Sequence, residues 1–178
     1  MPPGHDWAMV KASRARNRNG PKRQVEPLLH LLVDADACPV KREIGRVAER
    51  YDLRLTFVAA AWQRIDENER VSLQVVGQGV DLADDWIAEH AGEGDIVITA
   101  DIPLASRCVA MGAAVLSPAG KVFDAKNIGS ALATRDLLTD LRGMGEITGG
   151  PAPFSGQSRS RFLQELDRLI HQARKRAV

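Results

Sequence analysis

The chain has 178 residues, a length that suits one globular domain, and 44% of them are hydrophobic. Its 24 basic and 23 acidic residues leave a net charge of +1, so bulk charge does not indicate a nucleic-acid-binding protein. Two distant cysteines exclude a disulfide framework or a zinc site, and no apolar run is long enough to span a membrane. With no secretion signal, these features predict a cytoplasmic protein without a membrane partner.

The first 25 residues differ in composition from the rest of the chain. Residues 11–23 carry six basic side chains and no acidic one, and Asn, Gly and Pro interrupt any helical pattern. Such a segment buries too little apolar surface to fold alone, so residues 1–25 are predicted to be a disordered basic tail. The alternatives are a misassigned start codon and a basic arm that holds phosphates. Residues 26–178 are predicted to form a single domain.

Short apolar segments alternate with helical patterns through the rest of the chain. Apolar runs predict strands at residues 29–33, 53–60, 71–76, 95–100 and 113–116, with a further short strand at residues 122–123. Helices are predicted from about Pro39 onwards and over residues 80–90, 103–111, 128–141 and 159–176. This alternation indicates an α/β fold in which a mostly parallel sheet of about five strands lies between helices on both faces.

Two segments share one local design, in which an apolar strand is followed by an aspartate and then by a proline near the start of a helix. Asp34 and Asp36 precede Pro39, and Asp101 precedes Pro103. Ligands of open α/β sheets bind beyond the carboxyl ends of the strands, and clustered carboxylates favour a hard cation such as Mg²⁺ or Mn²⁺. Helix capping is the alternative for Asp36 and Asp101, but Asp34 ends an apolar run before any cap position.

Other polar residues are candidates to complete such a site. Asp81 lies three and four residues before Asp84 and Asp85, so these acids share a helical face, with a solvated first turn as the alternative. Asp124 follows the short strand at residues 122–123 and has a turn aspartate as its alternative. Thr99 is a candidate donor to a phosphate oxygen or to a metal-bound water, or a satisfied strand residue.

Basic residues near the predicted site are candidates for phosphate or nucleic-acid contacts, with a solvated helix face as the alternative. They are Lys41, Arg42, Lys121, Lys126 and Arg159. Trp62 and Trp86 are predicted to lie in the core, with base stacking as the alternative. Cys38 is predicted to be a small buried residue or a cap, because Ile44 stands where a phosphatase Cys-x5-Arg loop would need arginine.

Four motifs in this order resemble the signature of the YaiI/YqxD family of bacterial proteins. They lie at residues 33–41 (Val-Asp-Ala-Asp-Ala-Cys-Pro-Val-Lys), 80–85 (Val-Asp-Leu-Ala-Asp-Asp), 97–105 (Val-Ile-Thr-Ala-Asp-Ile-Pro-Leu-Ala) and 149–154 (Gly-Gly-Pro-Ala-Pro-Phe). The resemblance covers about residues 28–170. That family is similar to the PIN-like nucleases, which implies a Rossmann-like three-layer fold with an acidic Mg²⁺ or Mn²⁺ site.

The resemblance also implies roles for individual acids. Asp34 would be the acid of the first strand, and Asp101 the acid after the fourth strand. One of Asp81, Asp84 and Asp85 would be the acid of the central helix, and Asp124 the last of the set.

The chain departs from the family pattern in two places. Ser158 precedes Arg159 where the family usually has an acid, and Ala119 stands in a segment where the family tends to have Pro-Arg-Gly. Any phosphate contact made by that missing arginine would be lost here.

The leading hypothesis is hydrolysis of RNA, or of another phosphodiester, by metal-activated water. Asp34, Asp101 and one acid of the 81–85 group would hold the metal, while Asp36 would orient a water or act as a base. One alternative is a haloacid-dehalogenase-like phosphatase with Asp34 as nucleophile, Asp36 as general acid and Thr99 as the phosphate-binding hydroxyl. Another is a non-catalytic module that holds RNA with the basic tail and the metal site.

Overall fold

Six strands and five helices alternate along the part of the chain that the computed structural model describes, residues 29–150 and 152–178. The tail predicted at residues 1–25 lies outside these residues. In chain order the elements are β1 (His30–Asp34), α1 (Lys41–Tyr51), β2 (Arg54–Ala59), β3 (Val71–Val75), α2 (Leu82–His90), β4 (Ile96–Ile98), α3 (Ile102–Ala110), β5 (Ala114–Leu116), β6 (Val122–Phe123), α4 (Ile128–Gly143) and α5 (Gly156–Arg176).

The strands of the described residues form one sheet in the order β3-β2-β1-β4-β5-β6. Strands β1 to β5 are parallel, and β6 runs antiparallel to β5. The chain first builds outward from β1 to β3 and then returns to place β4 against the other side of β1. The strand order therefore reverses between β1 and β4, and a crevice at such a reversal is where open α/β sheets bind ligands.

The two faces of the sheet pack against separate hydrophobic cores. On β1, Leu31 and Val33 face a core closed by α1 and α5, whereas Leu32 faces a core closed by α2, α3 and α4. All three side chains are fully buried, because neighbouring side chains of a strand point to opposite faces and both faces are covered. The structure thus confirms the α/β fold with a mostly parallel sheet between two helical layers.

Some element boundaries differ from those predicted. Residues 122–123 join the sheet as a sixth, antiparallel strand. Helix α1 begins at Lys41, so Pro39 lies in the turn before the helix rather than in its first turn. Helix α5 begins at Gly156, three residues before the predicted start, because the Ser155 side chain caps it by accepting a hydrogen bond from the Ser158 N–H at 3.1 Å.

No helix within residues 29–150 and 152–178 combines the length and the apolar character needed to cross a membrane.

Candidate functional site

The carboxyl ends of β1 and β4 are joined by a chain of hydrogen bonds. Val33 pairs with Ile98 in the parallel register, so the residues that follow them, Asp34 and Thr99, lie side by side. The Thr99 hydroxyl donates to Asp34 Oδ2 at 3.1 Å and accepts a hydrogen bond from the Asp101 N–H at 3.0 Å. Thr99 is buried, so this contact fixes the Asp34 carboxylate at the reversal point of the sheet.

Asp101 caps helix α3. Its Oδ1 accepts a hydrogen bond from the Leu104 N–H at 2.8 Å, as the capping alternative predicted. Capping does not remove the carboxylate from the site, because its negative charge raises the pKa of both Asp34 and Asp84. Asp101 therefore serves the helix terminus and the acidic cluster at once.

The Asp34 carboxyl has a raised pKa. Burial is the largest cause, and repulsion by Asp36 and Asp101 adds to it. The hydrogen bond from Thr99 acts in the opposite direction, because it stabilises the ionised form. The net direction means that the surroundings of Asp34 disfavour its ionised form.

Asp84 of α2 has the most strongly raised carboxyl pKa of this edge, about 6. Burial contributes most, followed by repulsion from Asp101, Asp34 and Asp81, while Arg107 lowers it slightly. Three different elements thus place their carboxylates within electrostatic reach of one another. This mutual repulsion is the property expected of a site that holds a cation.

An open pocket of about 170 Å³ lies beside Asp34 and Asp84, and Asp101 is not among its lining residues. It is lined by Asp34, Asp36, Ala60, Gly79, Asp81, Leu82, Ala83 and Asp84. Asp81 adopts a left-handed backbone conformation (φ 60°) at the start of α2, and its side chain forms no capping hydrogen bond. Asp81 is exposed, so its carboxylate is available to the pocket.

The donor set of this pocket suits a hard divalent cation, because it consists of carboxylate oxygens. No group of three or more His, Cys, Asp and Glu side chains in the described residues is arranged to hold a metal ion. A cation would therefore require the aspartates to turn towards a common point. The chemistry of the residues fits Mg²⁺ or Mn²⁺, while the arrangement is not that of a preformed cage.

Asp85 points away from this acidic group. It forms an ion pair with Arg107 of α3 at 2.8 Å, and both side chains are about half exposed. Asp85 does not line the pocket that Asp81 and Asp84 line. The structure therefore separates the three acids of α2, which the sequence had left equivalent.

Asp124 lies apart from the acidic pocket and does not line it, so the structure does not bring this predicted metal ligand together with the others. Because β6 is antiparallel, its last residue Phe123 pairs with Val115, and Asp124 then runs towards the amino-terminal edge of the sheet. Its Oδ1 accepts hydrogen bonds from the N–H groups of Lys126 and Asn127 at 2.8 and 3.0 Å. Asp124 shapes the turn into α4, as its alternative predicted.

Asp36 anchors the loop that follows β2. Its Oδ2 accepts a hydrogen bond from the Ala60 N–H at 2.9 Å, and its Oδ1 accepts one from Gln63 Nε2 at 3.0 Å. Gln63 in turn accepts a hydrogen bond from Lys41 Nζ at 2.5 Å. That Asp36 orients a water or acts as a base stays a prediction. No sequence pattern indicates Gln63, since its contact depends on how this loop folds back.

A larger groove of about 930 Å³ lies between α1 and the loop of residues 60–70, next to the acidic pocket. Its basic lining residues are Lys41, Arg42, Arg46, Arg64 and Arg70, and its acidic ones are Glu49, Asp52, Asp66 and Glu69. Arg70 forms an ion pair with Asp52 at 2.5 Å, at the end of the groove where α1 ends. The basic residues of the first turns of α1 therefore lie at the opposite end of the groove, which is the end nearest Asp36.

The other predicted phosphate-binding residues lie elsewhere. Arg159 forms an ion pair with Glu43 at 2.9 Å, and its guanidinium lies over the Phe154 ring at 5.6 Å from the centroid. Lys121 and Lys126 line neither the acidic pocket nor the groove beside it. Only Lys41 and Arg42 of the predicted set line a pocket next to the acidic group.

The two tryptophans predicted for the core differ. Trp86 packs against the core beneath α2 and stacks on His90 with ring centroids 3.7 Å apart. Trp62 is 73% exposed, so its assignment to the core was wrong. Trp62 lies in the loop after β2, beyond the carboxyl end of that strand, where neither core covers it. The hydrogen bonds of Ala60 and Gln63 to Asp36 hold this loop. The sequence feature that indicates this exposure is the position of Trp62 just after the end of an apolar strand.

The cysteines do not take part in this site as thiolates. Cys38 is buried, as predicted, and burial raises its pKa to about 11. Burial has the same effect on Cys108 of α3, whose pKa is also about 11. Both thiols therefore remain protonated at neutral pH and act as small core residues.

Comparison with known proteins places the chain among bacterial relatives of similar length. It is 54% identical over 147 residues to the "UPF0178 protein" of Nitrobacter winogradskyi, covering 83% of this chain and 94% of the relative. It is 54% identical over 154 residues to that of Rhodopseudomonas palustris strain TIE-1, covering 86% and 98%. For Rhodospirillum centenum the identity is 54% over 152 residues, covering 83% and 99%.

No solved structure matches this chain. The family model that matches is described as "Uncharacterized BCR, YaiI/YqxD family", and it covers residues 32–172, which include the acidic pocket and all eleven elements except the ends of β1 and α5. On the extent of that match and the identity of its relatives, the chain belongs to the YaiI/YqxD family.

Proposed function

We propose that this protein is a metal-dependent phosphodiesterase of the PIN-like type, which hydrolyses RNA at the acidic pocket. The observation that carries the proposal is that Asp34, Asp36, Asp81 and Asp84 line one pocket where the strand order reverses, with Asp101 close enough to raise the pKa of Asp34 and Asp84. Helix capping explains Asp101 alone, and it explains neither Asp34 nor Asp84.

The proposed metal-holding residues are Asp34, Asp81 and Asp84, which line the pocket, together with Asp101, which lies outside its lining but raises the pKa of Asp34 and Asp84. When bound there, Mg²⁺ or Mn²⁺ would supply an activated water and would neutralise charge on the phosphoryl group. The Thr99 hydroxyl holds Asp34 in place through its 3.1 Å hydrogen bond. A cation would also remove the repulsion that raises the pKa of Asp84, so binding would favour its ionised form.

The proposed substrate contacts lie on the side of α1. Lys41 and Arg42 line the groove that begins beside the acidic pocket, and Lys41 is linked to Asp36 through Gln63. Cations beside a carboxylate pocket suit a phosphodiester chain, in which one phosphate reaches the metal and its neighbours reach the basic groups. In this proposal Asp36 positions the loop, and through it the cationic side of the site.

The test is cleavage of end-labelled single-stranded RNA by purified protein with Mn²⁺, compared with the same reaction in EDTA. We expect cleavage by the wild type and none by Asp34→Asn. The matched control is Asp124→Asn, because that residue lies at the opposite edge of the sheet and asparagine preserves its turn. Equal cleavage by Asp34→Asn and the wild type would trace the activity to a contaminant and overturn the proposal.

Metal binding gives a second readout that does not depend on catalysis. Isothermal titration with MnCl₂ should give a binding isotherm for the wild type and for Asp124→Asn, and a much weaker one for Asp34→Asn and Asp84→Asn. Binding that is the same in all four proteins would mean that the acidic pocket is not the metal site.

One contact favours a second candidate function. The Thr99 hydroxyl lies next to Asp34, as it would in a phosphatase that uses Asp34 as nucleophile and Thr99 as its phosphate-binding hydroxyl. Lys41 does not support this function, because its Nζ donates to Gln63. A beryllofluoride adduct on Asp34, detected by mass spectrometry or ¹⁹F NMR, would favour the phosphatase over the nuclease.

A further inference from the structure

Large apolar side chains are exposed in two of the segments that line the acidic pocket. Trp62 is 73% exposed two residues after Ala60 in the loop after β2, and in the segment that begins α2 Val80 is 88% and Leu82 40% exposed. Leu82 itself lines the pocket. An exposed tryptophan beside a charged pocket is unusual in a soluble protein, because the indole loses the free energy that its burial would give. The exposure of Trp62 therefore indicates a surface that a binding partner covers.

The backbone around Trp62 is held in place. Two residues before it, the Ala60 N–H donates to Asp36, and one residue after it the Gln63 amide donates to the same carboxylate. Ala60 is also part of the pocket wall. Trp62 is thus fixed within two residues of the pocket, and ordering its loop on binding costs little conformational entropy.

Cations flank the same loop on its other side. Arg64, two residues after Trp62, lines the groove together with Lys41, Arg42 and Arg46, and four acidic side chains line it as well. An aromatic face next to a row of basic groups is the combination that binds single-stranded nucleic acid, because bases stack on the ring and phosphates pair with the cations. A base inside a duplex has no free face to offer, since its neighbours cover both sides.

We propose that Trp62 stacks on an unpaired base adjacent to the phosphodiester held at the acidic pocket, and thereby selects single-stranded nucleic acid over duplex. The inference rests on the proposed function for the position of that phosphodiester. A second copy of the chain is a less suitable occupant of this surface. A symmetric contact through Trp62 would bring two acidic pockets, each with Asp34, Asp36, Asp81 and Asp84, against each other.

The test measures binding without cleavage, by fluorescence anisotropy in EDTA with a labelled single-stranded RNA of about 12 nucleotides and with the same strand in a duplex. We expect the wild type to prefer the single strand, and Trp62→Ala to weaken that binding roughly tenfold with little effect on the duplex. Trp62→Phe should retain part of the affinity, because phenylalanine still offers a ring for stacking.

The matched control is Leu137→Ala, which removes an exposed apolar side chain (58% exposed) from α4 and should leave binding unchanged. Circular dichroism of each variant shows whether the fold is retained; Trp62→Phe keeps the test decisive if Trp62→Ala fails to fold. Single-strand affinity that is the same in Trp62→Ala and the wild type would overturn the inference, as would a wild type that binds no RNA.

Two further outcomes separate this inference from its alternatives. A wild-type dimer that dissociates in Trp62→Ala, with unchanged RNA affinity, would assign Trp62 to self-association and overturn the inference. If Asp34→Asn cleaves RNA like the wild type while Trp62→Ala loses single-strand binding, the proposed function fails and base stacking by Trp62 stands.

Discussion

The ends of β1 and β4 carry the same pattern in sequence, a strand, an aspartate and then a proline, yet the two aspartates do different work. Asp101 follows β4 and caps α3 through the Leu104 N–H. Asp34 ends β1, caps no helix, and is held by Thr99 from the neighbouring strand. One acid therefore satisfies a helix terminus, and the other has no such role, its contacts being the Thr99 hydroxyl and the Asp36 backbone.

The distance to the next helix explains the difference. Pro103 is two residues after Asp101, and α3 begins at Ile102, so the Asp101 carboxylate reaches the first free N–H groups. Pro39 is five residues after Asp34, and α1 begins only at Lys41. Asp34 is too far from that helix to cap it. A carboxylate with a raised pKa and no capping role is more informative about function than one that a helix requires.

Asp34→Asn should have the largest effect of any single change at this edge. If the proposed function is correct, cleavage of single-stranded RNA in Mn²⁺ should fall by about 100-fold or more, because the variant removes a charge from the centre of the site. The fold should persist, since asparagine can still accept the Thr99 hydroxyl hydrogen bond. Initial cleavage rates and thermal unfolding of the same preparation would measure both. A loss of activity with a matching loss of folded protein would contradict a functional role.

Asp101 allows its two roles to be separated. Asp101→Asn should keep the cap and lose the charge, so the free energy of unfolding should change little while cleavage falls about tenfold or more. Asp101→Ala should lose both, and should also cost about 1 kcal/mol of stability. Urea unfolding alongside cleavage assays would compare the pair. If Asp101→Asn keeps full activity and only Asp101→Ala is impaired, Asp101 is a cap and not part of the site.

Much of the fold followed from local pattern. Strands β1 and β4 are covered on both faces, so they are continuous apolar runs, and the predicted alternation of strands and helices gave the parallel sheet. Strand β6 has two residues, too few for a pattern to reveal its direction. That direction determines where Asp124 lies. The sequence alone could therefore not show that Asp124 leaves the edge of the sheet where Asp34 lies.

The site was predicted less completely than the fold, for reasons of geometry. Asp34, Thr99 and Asp101 were predicted together because strand ends in a parallel sheet meet at one edge, and the structure places them in hydrogen-bond contact. Choosing Asp84 over Asp85 depends on the rotation of α2 against α3, where Arg107 pairs with Asp85. Trp62 was placed in the core because a large aromatic residue usually lies there. Its exposure depends on the path of a loop, which carries no periodic signal.

The affinity for Mn²⁺ should depend on pH through Asp84. Its pKa of about 6 means that protons compete with the metal below that pH. We expect affinity to fall by up to about tenfold per pH unit as the pH drops below about 6, and to change little above about 7. Calorimetric titrations across this range should show a flatter profile for Asp84→Asn, with weaker binding throughout. An unchanged profile in that variant would exclude Asp84 as the titrating ligand.

The smallest expected effect is on stability. The folded pKa of Asp84, about 6, lies above its ordinary value of 3.8, so the folded protein holds this proton more tightly than the unfolded chain. Its contribution to stability is fully present below about pH 4 and is lost as the pH rises through about 6. At pH 7, without metal, Asp84→Asn should therefore raise the free energy of unfolding by about 1 kcal/mol, a value reduced for partial exposure to solvent.

The gain in the free energy of unfolding of Asp84→Asn should disappear near pH 4, and urea unfolding of both proteins at several pH values would measure it. His30 acts in the opposite direction, because burial lowers its pKa to about 4 and the wild type loses stability as the pH falls from about 6.5 towards that value. Both proteins carry His30, so the difference between them isolates Asp84. Selection for folding alone would remove carboxylates that destabilise the metal-free protein. Selection for a bound cation would keep them, so a stability gain in Asp84→Asn is the result expected of a cation site. If Asp84→Asn is no more stable than the wild type at pH 7, the repulsion among these carboxylates is too weak to support that argument.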